Sequence, residues 1–195
     1  MRILITGTTG GIGGAVKRAA LAAGHAVVEV NRGDWEAEYG PLTSGKDSAS
    51  PLKGLDAIVF ATGICPVRPL TAMTDAELEE TFRVNCGLFV KLMRHVVAGK
   101  LVSPKGMKVV AISSVSATEG WAGGAAYCAS KGALSAVCRA LDAELKPRGI
   151  SIVALEPRYV KTRMFDACAG RMGVDPALAR DPDEFAKEVL NECCR

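Results

Sequence analysis

The stretch Thr6-Gly7-Thr8-Thr9-Gly10-Gly11-Ile12-Gly13 restricts the fold of this chain more than any other part of it. It follows a short apolar run, RILIT, and leads into an alanine-rich segment over 12–23 whose apolar residues recur with helical spacing. A strand, a glycine turn and a helix in that order aim backbone N–H groups and the positive end of a helix dipole at one point, which makes an anion site. Small side chains let a diphosphate approach the backbone closely. A second apolar run over 26–30 completes a β-α-β unit, the context in which such a turn holds a dinucleotide. The turn predicts an α/β chain with a parallel sheet. Gly7, Thr8, Thr9, Gly11, Ile12 and Gly13 are its candidate cofactor contacts.

Selection at the adenosine end is set just past the second strand, where an acid accepts a ribose 2′-hydroxyl and an arginine accepts a 2′-phosphate. Here Asn31 is followed by Arg32, with Asp34 nearby and Glu29 within the strand. This favours NADP(H) over NAD(H), against the plainer reading of Arg32 as a solvated loop residue. Over 33–54 the pattern dissolves into Gly, Pro, Ser and charged residues, so a further strand-and-helix unit expected there is reduced. Trp35 and Tyr39 are candidates to pin that segment to the core.

The run LDAIVFA reads as the next buried strand and ends at Thr62-Gly63, which places Gly63 over the cofactor at a strand C-terminus. After a proline-containing loop, Thr74 and Glu77 form a capping box for a helix that runs to about residue 98. Asn85 lies among its apolar residues and must find partners, either backbone groups or a functional water.

MKVVAISS is another buried strand, ending in Ser113 and Ser114. A turn with three glycines follows, then a helix over 124–146 that carries Tyr127 and Lys131 four positions apart on one face. A phenol is a poor proton carrier at neutral pH. A cation fixed beside it favours the phenolate and brings its pKa toward the working range. In this arrangement Tyr127 exchanges a proton, Lys131 tunes it, and Ser114 holds the substrate oxygen. ISIVAL is the next strand, Glu156-Pro157-Arg158 leads into a loop containing Thr162, and a last helix begins at Pro182 after Asp181.

A chain of 195 residues with 49% apolar and 23% charged residues fits one domain over 1–195. The net charge of +3, without basic runs, gives no reason to expect nucleic acid as a partner. Nothing approaches a membrane span or a signal peptide. Seven cysteines, irregularly spaced, suit a reducing, cytoplasmic setting, with Cys193 and Cys194 read as exposed thiols. The sequence suggests no metal site.

Together these features resemble the short-chain dehydrogenase/reductase family over residues 1 to about 164. TGTTGGIG is similar to its TGxxxGxG turn, and Asn85, Ser114, Tyr127 and Lys131 fall in order on its catalytic tetrad. The resemblance implies a doubly wound, Rossmann-like sheet and hydride transfer between NADP(H) and a carbonyl or secondary alcohol. It further implies that Tyr127 is acid or base, Ser114 binds the carbonyl oxygen, Lys131 holds the nicotinamide ribose and Asn85 keeps a relay water. Thr162, after Pro157, is then a nicotinamide contact, and a homodimer through the helices around Asn85 and after Tyr127 is expected.

Four departures stand out. Phe60-Ala61-Thr62-Gly63 replaces Asn-Asn-Ala-Gly, Arg158 replaces a glycine, the third strand unit is eroded, and no final strand follows the last helix. Arg158 either narrows the site or meets an anionic substrate. A non-catalytic NADP(H) sensor or scaffold is the competing reading; the intact tetrad argues against it.

Overall fold

The computed structural model describes residues 1–31 and 52–195. Five strands, β1 (Arg2–Thr6), β2 (Ala26–Val30), β3 (Ala57–Phe60), β4 (Met107–Ile112) and β5 (Ile150–Leu155), pair in parallel in the order β2-β1-β3-β4-β5. The helices are α1 (Gly11–Ala22), α2 (Asp75–Phe82), α3 (Leu88–Ala98), α4 (Ala125–Leu145), α5 (Arg163–Met172) and α6 (Pro182–Cys193).

Strand side chains alternate between faces, and each face carries its own core. Leu4, Ile58, Phe60 and Val109 pack against Leu88, Phe89, Leu92 and Val96 of α3 and Leu134 and Cys138 of α4. Ile3, Ile5, Val59 and Val110 pack against Ala15, Val16 and Ala20 of α1 and Phe185, Ala186 and Val189 of α6. This is the doubly wound α/β architecture expected from the sequence. Among the described residues no strand lies beyond β5. Most of the segment read as a reduced third unit, with Arg32, Asp34, Trp35 and Tyr39, falls outside the described residues.

The register sets where a ligand can sit. Thr6 lies opposite Val30 on one side and Phe60 on the other, so three strand ends meet at one level. The chain leaves β1 toward β2 and returns on its other side as β3, and that reversal opens a crevice at the carboxyl rim.

Two elements differ from the sequence reading. The helix expected to run unbroken to 98 is interrupted by a π-helical turn over Arg83–Gly87, which contains Asn85. Residues 163–175, read as a loop, begin with the ten-residue helix α5. Cys193, read as exposed, is buried against the α1 side of the core, while Cys194 is exposed. Burial pushes the Cys193 thiol up to about 12. Among the described residues no helix is long and apolar enough to cross a membrane, and no cluster of three metal-ligating side chains occurs.

Candidate active site

The glycine turn is shaped by backbone crowding. Gly7 has φ +68°, and a side chain there would lie 2.9 Å from the Ala61 carbonyl oxygen. A side chain at Gly13 would come within 2.3 Å of the Gly7 carbonyl oxygen, so helix and turn touch without side chains between them. The Thr6 hydroxyl oxygen accepts from the N–H groups of Ala61 (3.1 Å) and Thr62 (3.2 Å), tying the loop after β3 to the end of β1. No side chain caps the N-terminus of α1 at Gly10. Its first N–H groups therefore point toward the crevice without an intrahelical acceptor.

A groove of about 300 Å³ runs from this helix end across the carboxyl rim. Gly7, Thr9, Gly11, Ile12, Asn31, Gly63, Tyr127, Lys131 and Thr162 line it, as do Gly10, Thr62 and Arg163, which the sequence reading did not single out. Arg163 donates from Nη2 to the Thr9 carbonyl oxygen at 3.2 Å, which sets a guanidinium beside the uncapped helix end. The residues fit a dinucleotide: backbone donors and a cation for a diphosphate at one end, a phenol and an ammonium at the other.

Thr8 and Gly13 do not line the groove. The Thr8 hydroxyl donates to Glu29 Oε2 at 2.5 Å and accepts from Asn31 Nδ2 at 3.0 Å, holding the turn against β2. Lys17 pairs with Glu29 at 2.6 Å, and that contact, with Thr8, keeps the Glu29 carboxyl below its usual range.

The two serines after β4 part ways. Ser113 is buried and donates to the Lys131 carbonyl oxygen at 3.1 Å, with the Ser135 hydroxyl 2.8 Å away. Ser114 accepts from the Ser116 N–H at 3.1 Å and shares the second pocket with the Tyr127 phenol. Burial is the main influence on that phenol and raises its pKa above the ordinary value, against the lowering expected from the Lys131 spacing; the Ser114 hydroxyl works in the opposite direction. Lys131 is buried, donates from Nζ to the Ile112 carbonyl oxygen at 2.8 Å and lies 5.7 Å from the Tyr127 ring centre. Burial lowers its pKa from 10.5 to about 8. At neutral pH the site holds a neutral phenol beside a weakly acidic ammonium.

Asn85 stands behind these groups and is fully buried. It accepts from the Ile64 N–H at 2.8 Å, and its Nδ2 donates to the Ile64 carbonyl oxygen and to Ser130 Oγ, both at 2.9 Å. Of the two partner sets weighed from sequence, the structure displays the backbone one. A methyl group at Gly63 would lie 3.4 Å from Asn85 Oδ1 and 3.5 Å from Lys131 Nζ, so the glycine keeps open the space between them.

A second pocket of about 100 Å³ opens on the other side of Tyr127. Ser114, Trp121, Pro157, Arg158 and Thr162 line it together with Phe165, Cys168 and Met172 of α5. Tyr127 and Thr162 face both spaces. Thr162 caps α5 by accepting from the Phe165 N–H at 3.2 Å. Thr162 as an N-cap, with Gly173 in the left-handed region just past the helix, was the signal for α5 in the sequence. Arg68, in the loop before α2, pairs with Glu77 at 2.9 Å.

Known proteins agree with this geometry. The chain is 28% identical over 179 residues to 3-oxoacyl-[acyl-carrier-protein] reductase FabG of Rickettsia felis, covering 84% of this chain and 74% of that protein. It is 27% identical over 188 residues to human L-xylulose reductase, covering 85% and 74%. A Beutenbergia cavernae structure with NADP bound at low occupancy superposes with a TM-score of 0.83 at 22% identity, over 96% of this chain and 87% of that one. The family profile described as short chain dehydrogenase matches residues 46–171. The glycine turn, the parallel sheet and a match over more than half its length place the chain in the short chain dehydrogenase family of oxidoreductases, which use a nicotinamide nucleotide.

Proposed function

We propose that the protein, as one domain over 1–195, transfers a hydride between NADP(H) and a carbonyl compound or secondary alcohol, with Tyr127 as the acid or base. The observation that carries this reading is the position of Tyr127, which faces both the groove and the second pocket, with Ser114 lining the second beside it. A nicotinamide bound in the groove supplies or accepts the hydride.

The chain's own residues handle the rest. Ser114 and Tyr127 hold the carbonyl oxygen between their hydroxyls, which fixes the carbonyl carbon toward the groove. Because burial keeps the phenol protonated, Tyr127 serves as the acid in reduction: its proton passes to the oxygen as the C=O π bond opens. Lys131 holds ribose hydroxyls and returns positive charge toward the phenolate left behind. Asn85 holds the Ile64 backbone, and with it the floor of the site. The uncapped end of α1 and Arg163 take the diphosphate.

The preference for NADP(H) over NAD(H) rests on Arg32, which lies outside the described residues. It is supported by Lys17, which neutralises Glu29 near the adenosine end. Exposed Leu78, Phe82 and Val90 on α2 and α3 support a homodimer through those helices.

Tyr127→Phe tests the assignment. Its kcat should fall about 10²–10⁴-fold, while fluorescence titration returns an unchanged NADPH affinity. A variant that keeps most of its turnover removes Tyr127 from the mechanism.

A further inference from the structure

Resting on the reading above, the second pocket identifies the kind of carbonyl compound it takes. It is small: an apolar cavity of about 150 Å³ accommodates a benzene, and this pocket measures about 100 Å³. Its walls are mostly Trp121, Tyr159, Met164, Phe165 and Met172.

The polar groups in the walls are turned to other protein groups. Trp121 Nε1 donates to Ser116 Oγ at 3.2 Å, which occupies the indole N–H. Ser113 donates to the Lys131 carbonyl oxygen. The Cys168 thiol lies 3.7 Å from the Cys65 carbonyl oxygen, and burial raises the Cys65 thiol pKa, so that sulfur stays uncharged. Ser114 and Tyr127 form the point that receives the reacting oxygen, and the Thr162 oxygen accepts from the Phe165 N–H.

Arg158 is the one charged side chain among the described residues that line the pocket. It is already paired. Its Nη2 pairs with Glu119 at 2.6 Å, and its guanidinium lies 5.9 Å from the Tyr159 ring centre. Glu119 comes from the loop that carries Trp121, so the pair joins the pocket's two walls at the rim and cancels the charge there.

We infer that the substrate is a compact, uncharged carbonyl compound with an apolar body, and that the Glu119–Arg158 pair turns away carbonyl compounds bearing a carboxylate. The reaction balances as a two-electron reduction. The carbonyl carbon gains the hydride, its oxygen gains the Tyr127 proton, and the nicotinamide is oxidised. Beyond Ser114 and Tyr127, the Thr162 and Tyr159 hydroxyls are the main groups in these walls that could meet a polyol, and burying further hydroxyls against Trp121, Phe165 and Met172 disfavours it.

The test uses the full chain with whichever nicotinamide cofactor binds, and three probes small enough for the pocket: methyl pyruvate, pyruvate and dihydroxyacetone. The methyl ester should exceed both others in kcat/KM at least ten-fold. Glu119→Gln should raise the carboxylate-to-ester ratio about three- to five-fold, the scale of an exposed ion pair. Calorimetric titration of the three probes into the protein loaded with the oxidised cofactor, which has no hydride to give, reads the same ranking without turnover. A carboxylate or dihydroxyacetone that binds or reacts better than the ester overturns the inference, as does cofactor binding with no ester binding. Absence of cofactor binding is a separate result and sinks the oxidoreductase reading itself.

Discussion

Replacing Lys131 with methionine should make the cofactor-free protein more stable at neutral pH while abolishing turnover. Burial takes the Lys131 ammonium from 10.5 to about 8. At about 1.36 kcal/mol per pH unit, that gap corresponds to a penalty of about 3–4 kcal/mol wherever the lysine is charged in both states. The folded value lies below the unfolded one. The penalty is therefore full below about pH 8 and fades as pH rises toward the unfolded value, so stability increases with pH in that window. Methionine also forfeits the bond to the Ile112 carbonyl oxygen, which costs about 1.5–3 kcal/mol for a charged donor. The net gain at pH 7 is then about 0.5–2 kcal/mol. The pH dependence is the sharper readout, because it does not depend on the lost bond. Between pH 7 and pH 9 the wild type should recover about 1.3 kcal/mol that Lys131→Met does not. Urea unfolding of both proteins at pH 7, 8 and 9 measures it. Stability curves that stay parallel would refute a buried, weakly basic ammonium at this position.

Two further substitutions probe the site from other sides. Arg163→Glu should weaken NADPH binding about ten-fold or more by placing a carboxylate beside the diphosphate. The melting temperature of the cofactor-free protein should hold or rise, because an acid suits the first turn of α5 better than the arginine does; equal loss of both would mean a structural role. Asn85→Ala leaves the Ile64 backbone groups and Ser130 without their partner. It should cost about 3 kcal/mol in urea unfolding, and a loss under 1 kcal/mol would show that the loop is held elsewhere.

Most of the sheet was legible because its strands are short apolar runs closed by glycine or serine, and the alternation that sorts Ile3 and Ile5 from Leu4 is local. The glycine turn and the Tyr127–Lys131 spacing were legible for the same reason: each is a pattern of neighbours. What escaped depends on partners distant in sequence. A π-helical turn shifts the α-helical register by a single residue, too little for the apolar pattern around Arg83 to Gly87 to announce that Asn85 will be turned onto Ile64. Helix α5 opens with an arginine and contains Gly170, both poor helix signals, and it forms because Phe165 and Cys168 are buried. The choice of partner for Arg158 was equally out of reach, since Glu119 lies thirty-nine positions earlier in the chain.

The manner in which Asn85 grips its loop has a consequence for how this protein can vary. It meets Ile64 as a neighbouring strand would, taking the N–H and offering a proton to the C=O of one residue, and it makes no demand on the side chain there. Position 64 is thus open to change among apolar residues, since the Ile64 side chain packs against the α3 side of the core, without loosening the rim. Proline is excluded, because it brings no N–H for the amide to receive.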